Sequence, residues 1–195
     1  VRRMVTHAVE RLGRLDILVN NAAMPGGQGP VPRLPEITEE IFWEDMNVKV
    51  MGYLRCAREA ASYMRQQGWG RIISISGMAA RRSGSIIGSM RNVAVVAMTK
   101  NLAEELGPHG INATVVHPGV TRTEATSGVV AERTRGAGLS ATEVERRMAA
   151  DVAVGRIIDA REVAYVVAFL ASPKAVAING DVVAAGGGVA RSIHY

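Results

Sequence analysis

Apolar runs of strand length alternate along this chain with stretches of helical periodicity, and that alternation restricts the fold more than any other feature. Strands joined by helices pair side by side in parallel, with the helices crossing over the two faces of one sheet. Four such runs are readable, over residues 16–20, 71–76, 111–116 and 181–185. Helical spacing fills the intervals. Residues 2–12 read as an amphipathic helix ending at Gly13, a residue that takes the left-handed C-cap conformation easily. Residues 39–67 form a long helical region whose predicted buried face carries Met46, Val50, Tyr53, Leu54, Ala57, Ala61 and Met64. Residues 87–106 form a second long helix, rich in Ala and Val, that stops at Gly107-Pro108. Asp159 with Glu162 reads as a capping box opening a helix through Leu170. Residues 123–140, rich in Thr, Ser, Gly and Ala, suggest a loop or short helices, and Gly186-Gly187-Gly188 ends the last strand. The cluster from Met24 to Pro30 reads as a connector, because its prolines suit a loop better than a helix start. With no internal repeat or linker, the expectation is one three-layer α/β domain.

Composition excludes several classes. At 195 residues, with 48% hydrophobic and 21% charged residues, the chain can bury a sizeable core. Its longest apolar runs, such as 163–170, fall short of the roughly 20 residues a bilayer span needs, and no signal pattern is visible, so the expected location is the cytoplasm without membrane attachment. The lone cysteine, Cys56, reads as a packing residue, and no metal ligands are named. The net charge of +5 comes mostly from scattered arginines, since Lys49, Lys100 and Lys174 are the only lysines. Scattered charge without a dense stripe or interleaved aromatics argues against a nucleic-acid partner.

Three segments, Leu15 to Ala23 (LDILVNNAA), Gly88 to Lys100 (GSMRNVAVVAMTK) and His117 to Thr123 (HPGVTRT), together resemble the short-chain dehydrogenase/reductase family. The resemblance extends over essentially the whole chain. It implies a Rossmann-type doubly wound parallel sheet, NAD or NADP as cofactor, and small alcohol or carbonyl substrates. It also implies a homodimer or homotetramer built through helices 39–67 and 87–106. Compared with the family, the chain begins in the helix before the fourth strand, so roughly 60 residues are absent at about 30 per βα unit. The reading is therefore a single partial Rossmann-type domain over 1–195, holding strands four to seven. The glycine-rich turn that cradles the pyrophosphate belongs to the absent part, as does the residue that separates NAD from NADP. The strand at 16–20 is then expected to present an unpaired apolar edge, leaving this stretch unstable, aggregating or paired with another molecule.

In the resembled family a tyrosine gives a proton to the substrate oxygen, and a lysine one turn later binds the nicotinamide ribose and lowers the tyrosine pKa. The tyrosine position falls on Gly88 and the lysine position on Asn92. Asn92 can still hydrogen-bond a ribose hydroxyl, but it lacks the charge that favours a phenolate. The family's serine falls on Gly77, or on Ser76 after a one-residue slip. Its helix-bending, water-holding asparagine matches Asn47. Asn20, Asn21, Ala22 and Ala23 resemble the segment bordering the adenosine ribose, and Pro118, Gly119, Val120 and Thr121 resemble the loop that contacts the nicotinamide carboxamide. Residues 123–140 correspond to the substrate lid. Ser85 and Arg91, three residues to either side of Gly88, can face the vacated space, with Ser83, Ser89 and His117 nearby. The resemblance thus implies an NAD(P)-dependent oxidoreductase that does not use the Tyr-Lys chemistry, for which restoring Gly88→Tyr with Asn92→Lys is expected to raise activity. The alternative is a catalytically inactive dimeric scaffold or dinucleotide-binding module.

Overall fold

The structure, a computed structural model, describes residues 1–24 and 31–189. Helix α1 (Arg2–Leu12) ends at Gly13 in the left-handed conformation, φ 79°, and leads into strand β1 (Ile17–Asn20). Residues 25–30, most of the expected connector, lie outside the described residues. Helix α2 (Glu39–Met46) is capped by Thr38, whose hydroxyl accepts the Ile41 amide, and runs through a π-turn over Asn47–Met51 into α3 (Gly52–Gln67). Then follow β2 (Gly70–Ile75), α4 (Ile86–Leu106) and β3 (Ile111–Pro118). The remainder comprises β4 (Thr121–Arg122), α5 (Thr126–Ala137), α6 (Ala141–Ala149), β5 (Ile158–Asp159), α7 (Ala160–Ala171) and β6 (Val182–Ala185).

The four longer strands form one parallel sheet in the order β1-β2-β3-β6, with Asn20 opposite Ser74, Ile75 opposite Val116 and Pro118 opposite Ala185. All four carboxyl ends therefore lie at one edge, the place where open α/β sheets gather ligand-binding residues. Alternate side chains divide the core. Ile72 packs with Ala57, Ala60, Met64, Ala103 and Leu106 under α3 and α4, whereas Ile73 and Val116 pack with Val163 and Leu170 under α7. Each such large apolar side chain taken fully out of water contributes about 1.5–3 kcal/mol. The three-layer α/β arrangement expected from the alternation is the one observed.

Several local expectations change. A π-turn winds one extra residue into the helical region at 39–67, so the simple 3.6-residue face fails there. Leu54 is 38% exposed rather than buried, while Lys49 and Ala60 turn inward. Within 123–140 most residues form the regular helix α5, closed by Gly138, and Ser140 caps α6, which sequence periodicity did not reveal. The short β4–β5 pair was also unforeseen. The capping box at Asp159 and Glu162 is present as expected. Strand β1 pairs on one side only among the described residues, and its outward Ile17 and Val19 are each 43% exposed. Gly110, with φ 75°, begins β3 where a Cβ would stand 2.2 Å from the Gly68 carbonyl oxygen, so only glycine lets these two turns meet.

Candidate active site

At the carboxyl edge of the sheet a cavity of about 480 Å³ lies between the end of β2, the start of α4, the π-turn and the loop after β3. Helix α4 starts at Ser85, whose Oγ accepts the Gly88 amide at 3.0 Å. A Cβ on Gly88 would stand 2.7 Å from that Oγ, so the capping serine fills the space through which a side chain at 88 would leave the helix. One turn later Asn92 is 3% exposed, and its Oδ1 is buried without a hydrogen-bond partner. Ser76 donates its hydroxyl proton to the Asn92 carbonyl at 3.2 Å, and the Gly77 amide donates to His117 Nδ1 at 3.2 Å. A Cβ on Gly77 would stand 3.1 Å from Asn92 Nδ2. Ser76, Gly77, Gly88 and Asn92 thus line one cavity, as their assignment to one site requires. Ser76 and Gly77, the two positions open to the family's serine, both line the cavity, and the hydroxyl at 76 is engaged by the helix backbone.

Asn47 does not join them. It is exposed, and its Oδ1 accepts a hydrogen bond from Arg55 Nη1 at 2.8 Å. The π-turn explains the miss, because it rotates Asn47 outward and brings Lys49 in. Lys49 is 3% exposed, lines the cavity, and donates from Nζ to the Ser76 carbonyl oxygen at 3.0 Å. Burial lowers its pKa to about 8, helped by the positive charge of Arg91 and opposed by Asp45. Lys49 sits four residues before buried Tyr53, but nothing in the sequence announces the π-turn that brings it inward.

The other candidates for the missing acid are occupied. Arg91 lines the cavity but is ion-paired with Asp45, and its buried Nε has no hydrogen-bond partner among the described residues. Ser89 donates to the Arg82 carbonyl at 3.3 Å, and Ser83 is exposed outside the cavity. His117 is fully buried and faces the Gly77 amide rather than the cavity. Tyr53, the nearest buried phenol on α3, gives its proton to the Ile75 carbonyl at 3.0 Å, and burial raises its pKa, so it is a weaker acid than an exposed tyrosine.

A second cavity of about 670 Å³ adjoins the first, and the two share Asn21, Ile75, Pro118, Gly119 and Val120. Val19 and Thr121 border it from the sheet side, Thr126, Val129 and Arg133 from α5, and Val163 and Val167 from α7. Asn20 is buried beside it with an unpartnered Nδ2, Ala23 lines the smaller cavity, and Ala22 lines neither. The loop after β3 is closely packed. A Cβ on Gly119 would stand 2.8 Å from the Gly186 Cα, and Thr121 Oγ1 donates to the Gly119 carbonyl at 3.0 Å.

Comparison with known proteins bears on the family and the fold. The family model described as Enoyl-(Acyl carrier protein) reductase matches residues 1–190. The NADPH-dependent reductase BacG of Bacillus subtilis is 33% identical over 93% of this chain and 69% of its own length. The short-chain reductase protein NovJ of Streptomyces niveus is 34% identical over 96% of this chain and 69% of its own length. Among solved structures, YwfH, an NADPH-dependent reductase involved in bacilysin biosynthesis, superposes with a TM-score of 0.86 at 30% identity, covering 98% of this chain and 74% of that one. A 7α-hydroxysteroid dehydrogenase complexed with NADH superposes at 0.82 with 26% identity, over 99% and 71% of the two chains. With its family match, its parallel sheet and its converging site positions, the chain belongs to the short-chain dehydrogenase/reductase family.

Proposed function

We propose that the protein is an NAD(P)(H)-dependent oxidoreductase acting on a carbonyl or alcohol group of a small molecule, without a tyrosine acid. The observation that carries this reading is the buried, unpartnered Oδ1 of Asn92 in the cavity bordered by Pro118, Gly119 and Val120. An acceptor left unpaired inside a fold costs about 1–3 kcal/mol, and a ligand hydroxyl such as that of a nicotinamide ribose removes the cost. Asn92 would hold that hydroxyl, the segment from Pro118 to Thr121 would face the carboxamide, and Asn20 to Ala23 would border the adenosine side. A bound dihydronicotinamide would supply hydride, a proton with two electrons, to the carbonyl carbon. Helix α5 covers the larger cavity as a substrate lid, its Arg133 and Val129 turned toward the space.

A second reading, a dinucleotide-binding scaffold without turnover, is favoured by one observation: Gly88 offers no side chain at the proton-donor position. Two measurements on the full-length protein separate the readings. Thermal unfolding with and without NADH and NADPH reports binding, because a ligand specific for the native state raises its stability. Oxidation of the reduced dinucleotide in the presence of benzil, ethyl acetoacetate, cyclohexenone or nitrobenzaldehyde reports turnover. A shift with turnover supports the enzyme; a shift without turnover leaves the scaffold; no shift with either dinucleotide removes both.

A further inference from the structure

We propose that Lys49 is the proton donor of this site, acting through its ammonium group in the cavity whose walls it shares with Gly88 and Asn92. The proposal rests on the oxidoreductase reading above and adds the group which that reading lacks. Four observations carry it. Lys49 is the lysine that the π-turn turns into the cavity, sharing its walls with Gly88, Asn92, Ser76 and Gly77. Its Nζ makes one hydrogen bond among the described residues, to the Ser76 carbonyl, so two of its three N–H bonds remain to meet a ligand oxygen. Among the described residues no carboxylate pairs with it: Asp45 is engaged by Arg91, and Asp151 by Arg82 at 3.7 Å. Lastly, Ser76 and Tyr53 donate their protons to backbone carbonyls, and Ser85, an unassisted hydroxyl, is a weak acid that already accepts the Gly88 amide.

The step balances. As the carbonyl carbon accepts hydride from the reduced nicotinamide, the C=O π pair moves onto oxygen. One Nζ–H bond of Lys49 breaks, its electron pair stays on nitrogen, and the proton goes to the oxygen, giving the alcohol and a neutral amine. The nicotinamide is oxidised and the carbonyl reduced, and water returns a proton to the amine. A donor with a pKa near working pH gives up its proton readily and is still largely charged beforehand. Burial and Arg91 lower the Lys49 pKa to about 8, whereas an arginine at the same place would hold its proton. The charged and titratable groups facing Lys49 are Arg91 from α4, Asp45 from α2, Tyr53 from α3, and His117 from β3 beyond Gly77; Arg82 and Asp151 share the cavity wall.

The test combines a titration that needs no turnover with kinetics. Competitive acetylation of the full-length protein across pH, read by mass spectrometry, gives the pKa of Lys49 against exposed Lys100 and Lys174. A Lys49 value near 8 supports the proposal; titration with the exposed lysines overturns it. On any carbonyl in the panel above that the wild type reduces, Lys49→Met is expected to lower kcat by about a hundredfold or more, with dinucleotide affinity within about threefold. Lys49→Arg should not recover the rate, and methylammonium added to Lys49→Ala should recover part of it. The wild-type reduction rate should fall as pH rises through about 8, since the donor must be protonated. Retained turnover in Lys49→Met overturns the proposal alone. If that variant fails to fold, the titration and the wild-type pH profile decide, and a rate flat beyond pH 9 overturns it. No turnover by the wild type on the panel overturns the enzyme reading and the proposal with it.

Discussion

At position 88 the absence of a side chain is bound to the serine three residues earlier. Ser85 Oγ accepts the Gly88 amide and stands where a Cβ on 88 would press to 2.7 Å, so cap and side chain compete for the same volume. Losing an N-cap costs about 0.5–2 kcal/mol, and replacing a helical glycine by alanine returns up to about 1 kcal/mol. The two changes should therefore couple. Ser85→Ala is expected to destabilise the native protein by about 1 kcal/mol, but to cost close to nothing in a Gly88→Ala background, where the serine has already been displaced. Equal costs in the two backgrounds, measured by urea unfolding, would show that Ser85 and a side chain at 88 coexist. The same contact means that Gly88→Tyr with Asn92→Lys cannot rebuild a Tyr-Lys pair unless Ser85 also gives way. The neighbourhood of 76, 77, 88 and 92 was readable because motif order fixes positions along one strand and one helix. Lys49 was not read, because Asn47 offered the right residue type two positions away. A π-turn, which no residue type announces, then decides which of the two faces inward.

Among the elements, strands and long helices followed their patterns closely, since the period of apolar residues is what buries them. The exceptions are short or irregular. Helix α6 is only nine residues long, four of them charged, and buries only Val144, so its apolar face is too short to stand out. Its counterpart in legibility is α7, whose Asp159-Glu162 capping box was plain in the sequence and is doubled by electrostatics. Glu162 accepts Arg156 Nη1 at 2.6 Å and the Asp159 amide at 2.8 Å, and these bonds hold its pKa down to about 2 from the ordinary 4.5. A carboxylate whose folded pKa lies below its unfolded one stabilises the fold above the unfolded value and loses that contribution as pH falls through the folded one. Helix α7 should therefore loosen between pH 4.5 and 2. Glu143, held down to about 2 by Arg146 and Arg147, behaves alike on α6. In urea titrations across that interval, the wild type should lose stability with acid more steeply than Glu162→Gln, and Glu162→Gln more steeply than Glu143→Gln/Glu162→Gln. Parallel curves would mean that both glutamates keep their charge partners in the unfolded chain.

For the whole molecule, the composition of α4 poses a question that one sheet cannot answer. A helix that is apolar on more than one side needs more than one apolar neighbour. One face of α4 packs on the sheet through Val95, Ala103 and Leu106. Ile86, Met90, Val93 and Ala97, at helical spacing on another face, are exposed. Beside them on the preceding helical region, Val48, Met51 and Leu54 are exposed too. Exposed apolar residues gathered on helices packed together are what an interaction surface presents. We propose a second copy as the occupant, because an isologous contact would set α3 and α4 of one chain against the same pair of the other and cover both at once. Sedimentation of the full-length protein at micromolar concentration should give a dimer or a larger even assembly. Val93→Glu with Leu54→Glu should give a monomer whose unfolding is otherwise little changed, because in the isolated chain both positions already face water. A double variant that sediments as the wild type does would place the interface elsewhere and leave the apolar face of α4 to a different partner.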